Sequence, residues 1–187
     1  MLVTLVSGTS SSRREAYSAA MGRARRPLRI VSGGQTGVDR AALDAALALG
    51  LPAGGWCPRG RIAKDGRLAR RYPLQETPSA DYAPRTESNV RDSDGTLILN
   101  RGRLDGGTLL TARLAARYGR PCLVVQLERR VDLVRLRGWI ARHRIRTLNV
   151  AGPRESKRRG IYEQARAALE LLLANAVMKT QRFENPV

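Results

Sequence analysis

"IVSGGQTGVDRAALDAALALG", residues 30–50, decides how this chain is read. It opens as a short apolar strand, breaks at Gly33-Gly34 into a polar turn, and continues from Val38 as a helix of Ala and Leu that stops at Gly50. A strand that runs through a glycine turn into a helix leaves backbone N–H groups without intrahelical partners. They lie at the helix end where the macrodipole favours negative charge. The loop is therefore a candidate phosphate cradle. It is not a Walker loop, because no Gly-Lys-Ser/Thr follows, and it lacks the G-x-G-x-x-G dinucleotide spacing.

Working outward, the same strand-then-helix rhythm recurs. Strands are expected over 51–58, 95–100, 121–127 and 146–151, and helices near 84–92 and over 108–119, 131–144 and 161–174. Between the second strand and the helix near 84 lies a polar stretch broken by Gly66, Pro73, Pro78 and Pro84. A long irregular insert in a compact domain is expected to cover a site, so it is a candidate lid or ligand wall. Strands alternating with helices predict right-handed crossovers, a mostly parallel sheet and an α/β, Rossmann-like three-layer domain over 27–176. Residues 1–26, rich in Ser and Arg, read as a disordered extension or as sequence ahead of a true start at Met21, and 177–187 as a C-terminal tail.

Composition narrows the function classes. No apolar run approaches the ~20 residues of a membrane span, and no secretory leader is evident, so a cytoplasmic protein without membrane contact is expected. Two cysteines, Cys57 and Cys122, make neither a disulfide framework nor a metal-ligand spacing, and no resident metal site is expected. The net charge of +18, nearly all from arginine, points to an anionic partner: a phosphorylated small molecule, an oxyanion, or nucleic acid. An aromatic content of 4% argues against a single-strand stacking platform, and His143 between Arg142 and Arg144 reads as a surface residue.

Three of the expected strands end in unusual loops that open at one sheet edge: 32–40, 100–108 and 151–156. They supply the candidate binding residues Gly33, Gly34, Thr36, Gly37, Gly106, Gly107 and Thr108, with Arg154 as a guanidinium fork and Ser156 as a helix cap. Asp39 either serves the dipole of its own helix or orients a ligand's polar ring or sugar. Arg85, Asn89 and Asp92 share one helical face and add a guanidinium, an amide and a carboxylate if that face meets the loops. A bulky residue at Gly34 is expected to remove ligand binding and leave the fold largely intact.

The segments "IVSGGQTGVDRAALDAA", "YPLQETPSADYAPRTESNVRDSDGTLIL", "GGT" and "NVAGPRES" together resemble the circularly permuted YpsA branch of the SLOG superfamily, proteins labelled "putative molybdenum carriers". The resemblance covers about residues 28–174. It implies a Rossmann-like fold, homo-oligomers, and molybdenum cofactor, molybdate or a nucleotide as ligand, with Cys57 as a remote molybdenum ligand. It also brings two competitors. Lonely-guy phosphoribohydrolases, which release the base from nucleoside monophosphates, carry glutamates after their glycine motif; here Leu110 and Thr111 stand there, leaving Glu87, Asp92 or Asp94 as substitute catalytic carboxylates. DNA-processing protein A has a similar first loop and binds single-stranded DNA, but its following Ala-His pair is absent here.

Overall fold

The computed structural model describes residues 27–184, with side chains through Ala174; the expected 1–26 extension and the last three residues lie outside the described residues. Along the chain come β1 (Arg29–Val31), α1 (Val38–Ala48), β2 (Ala53–Gly54), β3 (Trp56–Cys57), β4 (Ile62–Ala63), β5 (Gly66–Arg67), β6 (Gln75–Glu76), α2 (Tyr82–Arg91), β7 (Gly95–Asn100), α3 (Gly106–Arg117), β8 (Cys122–Gln126), α4 (Leu133–Arg142), β9 (Thr147–Ala151) and α5 (Ile161–Glu184).

Five strands make one wholly parallel sheet in the order β2-β1-β9-β7-β8. β7, "GTLILN", is buried at every position because both of its faces are covered, as its apolar centre Leu97–Leu99 requires. Ile30, Leu97, Leu99, Leu148 and Val150 turn to one face and form the main core with α1, α4 and α5. The alanines of α1 at 41, 42, 45 and 46 are fully buried in that core, so small side chains let α1 and α5 approach closely. On the other face α2 and α3 close a smaller core of Val90, Leu114 and Ala115.

The order of strands places the rim. From β1 the chain steps outward to β2, and from β7 it steps outward the other way to β8; β9, last in sequence, fills the gap between them. Outside the carboxyl ends of strands at such a divergence is where an open α/β sheet offers its crevice.

Three expectations are revised. The strand expected over 51–58 divides: β2 joins the main sheet, the chain bends at Gly55 with φ +126, and β3 pairs with β6 in a separate parallel ladder. The irregular insert also has a core, with Cys57, Ala63, Leu68, Tyr72 and Leu74 packed against Leu43 of α1. Arg61 organises it by donating to the carbonyls of Leu68, Leu74, Ala69 and Tyr72 at 2.9–3.3 Å. Asp44 of α1 then ties the insert to α5, accepting from the hydroxyls of Tyr72 and Tyr162, each at 2.9 Å. The final helix runs past Ala174 to Glu184, longer than its apolar face alone suggests.

Candidate anion-binding rim

The loops after β1, β9 and β7 leave three adjacent strands and meet at one edge, as expected. What each glycine does there differs. At Gly37, with φ +80, a Cβ would collide with the Pro153 carbonyl and lie 2.6 Å from the Glu155 nitrogen, so this glycine exists to let the first loop press on the third. The amide of Val38 donates to that same Pro153 carbonyl at 3.3 Å, which spends one of the free N–H groups of α1 on the protein itself. At Gly34, with φ +73, a Cβ would lie 2.8–3.0 Å from methyls of Leu74 and Leu68. The expectation that a bulky residue at Gly34 spares the fold is therefore revised: it would strain the backbone and push into the insert's core. Thr36 is half-buried, its amide bonded to the Gln35 side chain, which also accepts from Lys64 and so pins the insert to the loop.

Arg85 lies flat across Gly33, filling the space a Cβ would need. Its Nη1 donates to Asp39 Oδ2 at 3.0 Å, and the two side chains are 13% and 5% exposed. Nε of Arg85 is buried without a partner. Burial pushes the Asp39 carboxyl up, against the charge of Arg85, the Gln35 amide and Arg40. Asp39 thus closes its own loop from beneath and is not presented to solvent. Asn89 is also spoken for, exchanging two 2.9 Å bonds with the backbone of Trp56.

The rim around α3 is different. Gly106 and Gly107 are exposed, Thr108 is buried at the first turn, and α3 begins without a side-chain cap. Its first N–H groups have no partners within the helix. The Asp105 carboxylate, well placed to cap, turns instead to Lys157 Nζ at 2.6 Å, whose hydrogen bond holds it below the usual carboxylate range. Lys157 Nζ would be 3.3 Å from a Cβ on Gly106. Arg158 and Arg101 are locked beside it: Arg158 Nε donates to the Arg101 carbonyl at 3.1 Å, and Arg101 Nη2 to the Arg159 carbonyl at 2.7 Å. The exposed Gly106-Gly107 turn thus lies beside two cations, Lys157 and Arg158, both paired with Asp105 at 2.6 and 3.9 Å, a donor set suited to phosphate or another oxyanion.

Other expected residues fall elsewhere. Arg154 is half-buried at the rim, with its carbonyl accepting from the amides of Lys157 and Arg158. Ser156 is exposed, and the cap of α5 comes from Glu155, whose longer side chain reaches the amides of Gly160 and Tyr162. Glu87 accepts from the Tyr118 hydroxyl, while Asp92 pairs with Arg91 and accepts from the Trp56 indole. Asp94, ahead of β7, accepts from the amides of Arg146 and Thr147 at the amino edge of the sheet, opposite the rim. The structure does not bring these three carboxylates to the loops. Cys57 is fully buried in the insert's core, its thiol pushed up by burial.

Sequence reasoning passed over Lys157, whose only signal was being one of three lysines in an arginine-dominated chain. It also passed over Ser32 and Asn100. Ser32 donates to the Val150 carbonyl at 2.6 Å and joins β1 to β9; Asn100 donates to the Gly102 carbonyl at 2.7 Å and shapes the loop ahead of α3. Among the described residues no group of three His, Cys, Asp or Glu side chains is placed to hold a metal ion, and no helix is long and apolar enough to cross a membrane.

Comparison with known proteins identifies the family and the fold. The model of the circularly permutated YpsA SLOG family matches residues 30–173. A crystal structure from Syntrophus aciditrophicus SB, described as a "Putative molybdenum carrier protein", superposes with a TM-score of 0.76 at 47% identity, covering 79% of this chain and 96% of that one. A search of curated proteins finds no match.

Proposed function

We propose, from the premise that this chain belongs to the circularly permutated YpsA SLOG family, that it is a small-ligand carrier with an anion seat at the start of α3. The observation that carries this reading is the uncapped, exposed Gly106-Gly107 turn beside Lys157 and Arg158. An arriving phosphate or oxyanion takes the first amides of α3 and draws Lys157 from Asp105, exchanging one carboxylate partner for another anion. The third loop, which carries Lys157 and Arg158, is held in turn by the first loop through Gly37 and the Val38 amide. The related Syntrophus protein, described as a "Putative molybdenum carrier protein", points to the cargo: molybdate, or a phosphorylated molybdenum cofactor held by its phosphate. A nucleotide would use the same donors. No thiolate enters this reading, since Cys57 is enclosed.

Gly107→Glu separates binding from folding. A Cβ at Gly107 meets nothing within 4 Å, and an acidic side chain in a first helical turn is favoured by the dipole, so the variant should be as stable as the wild type or about 0.5–1 kcal/mol more so. Its carboxylate occupies the seat. Native mass spectrometry of gently purified wild-type protein should show a co-purifying mass lost on unfolding, and Gly107→Glu should lack it. Equal retention by the variant moves the seat elsewhere.

The same geometry sets an expectation for hydrolysis. Cleaving an N-glycosidic bond needs a carboxylate beside the sugar, and Glu87, Asp92 and Asp94 are all engaged away from the α3 turn. Incubated with a panel of nucleoside monophosphates, the protein should release no base above a heat-killed control. Release would restore the phosphoribohydrolase reading.

A further inference from the structure

The net charge of +18 is not spread evenly. Residues 129–146 hold seven arginines and His143 against a single acid, Asp132, which accounts for about a third of the net charge. Asp132 is occupied as the cap of α4, accepting from the Arg135 amide at 2.9 Å. Arg129, Arg130, Arg135, Arg142, Arg144 and Arg146 are all exposed, and none of the ion pairs among the described residues involves this segment. Arg137 differs, turning inward to donate to the Leu171 carbonyl, and takes no part in the surface.

The fold gives these cations a direction. Arg129 and Arg130 follow the carboxyl end of β8, Arg135 and Arg142 stand seven residues apart on one side of α4, and Arg144 and Arg146 precede β9 at the amino edge. They run from the carboxyl end of the edge strand β8, along α4, to the amino end of the central strand β9. Gly138 and Ala141, exposed between them, leave the helix surface low. Leu136 is buried beneath, and Trp139 packs into the core with its ring 5.7 Å from that of His143, so the arginines rest on a firmly seated helix.

We infer that this ridge binds the sugar–phosphate backbone of a nucleic acid, independently of the small-ligand seat. A helix of ten residues is ~15 Å long, which matches about four phosphates of one strand. Among the described residues these guanidinium groups have no carboxylate partner and keep their donors for phosphate; Glu128 and Asp94, at the two ends of the ridge, are engaged by the amides of Gly102 and of Arg146 and Thr147. An anionic membrane surface is the poorer match: Val134 is the one large apolar side chain exposed within the segment, with no aromatic anchor beside it. The contact is to backbone and not to bases, so it tolerates any sequence.

Fluorescence anisotropy with labelled 20-nucleotide single strands and 20-base-pair duplexes tests this, titrated from low to moderate salt. Binding should weaken with salt at a log–log slope of about −3 for a single strand and somewhat steeper for a duplex. The pair Arg135→Glu with Arg142→Glu should lower affinity at least tenfold and flatten the slope by about 1.4. Among the described residues neither side chain has a partner to lose, and Arg142→Glu at the last turn of α4 should cost only about 0.3–1 kcal/mol through the helix dipole; the milder pair Arg135→Gln with Arg142→Gln should lie between. The control is Arg113→Glu with Arg117→Glu on α3, an equal charge change on another face, which should alter affinity less than threefold. Equal losses from both reversed pairs reduce the effect to net charge and overturn the ridge. So does a wild-type slope near zero, or binding to phosphatidylserine vesicles without binding to either oligonucleotide. Retention of the small-ligand mass by the α4 variants keeps the two sites separate.

Discussion

Gly37→Ala should lower stability by about 4 kcal/mol, enough to shift the melting temperature by roughly 8–16 °C for a domain of this size. Two costs add. The backbone at φ +80 and ψ −131 lies in a region open essentially to glycine, worth about 1–3 kcal/mol of strain for any other residue. The added methyl then meets Pro153 and Glu155 backbone that cannot step aside, because the Val38 amide is bonded to the same Pro153 carbonyl. Gly50→Ala is the control that separates the two. Its φ is +65, but a Cβ there meets nothing within 4 Å, so it should cost only about 1 kcal/mol. If thermal or urea unfolding gives both variants similar losses, the contact between the first and third loops contributes little and the rim is not set by it.

That contrast shows where the sequence was legible and where it was not. β7 was readable at its bounds, 95–100, because the apolar run Leu97–Leu99 is flanked by a polar stretch on one side and a glycine loop on the other. α1, α3 and α4 were readable to within two residues or so from their apolar spacing. The two-residue strands of the insert were not, since two residues carry no period, and the Arg61 clasp that holds them together joins residues scattered from 61 to 74. The rim was half legible. The convergence of three loops follows from strand–helix alternation alone, but the same Gly-Gly signature serves a cradle and a tight backbone contact equally well. Only the position of β9 between β1 and β7, a fact of topology, decides that Gly37 is used for contact while Gly106 and Gly107 stay open. Asp39 was ambiguous for a related reason, because its partner Arg85 lies 46 residues away.

Arg85→Ala should cost about 3 kcal/mol at neutral pH, and the deficit should shrink as the pH falls toward about 4. Asp39 is enclosed, and burial already pushes its carboxyl above the ordinary value of 3.8 against the pull of Arg85, the Gln35 amide and Arg40. Removing the guanidinium takes away the largest opposing charge and raises it further. A carboxyl whose folded value exceeds its unfolded value contributes stability below the unfolded value and loses it as pH rises through the folded one. The variant is therefore weakest where Asp39 must ionise without a counter-charge. Asp92 and Asp105 do not blur this window: hydrogen bonds from Arg91 and Lys157 hold them low, so their contributions are lost only as pH falls below about 4. Asp39→Asn removes the titrating group, so its deficit relative to the Asp39 protein should be nearer 1 kcal/mol at pH 7 and, opposite to that of Arg85→Ala, should grow as pH falls and the wild-type carboxyl takes up its proton. Combining Arg85→Ala with Asp39→Asn should recover part of the loss of Arg85→Ala alone, because no buried charge is left unpaired. Urea denaturation of the four proteins between pH 4 and 8 gives each quantity. An Arg85→Ala deficit that is flat with pH, or no recovery in the double variant, would mean that the guanidinium supports the first loop by packing over Gly33 and not by holding the charge of Asp39.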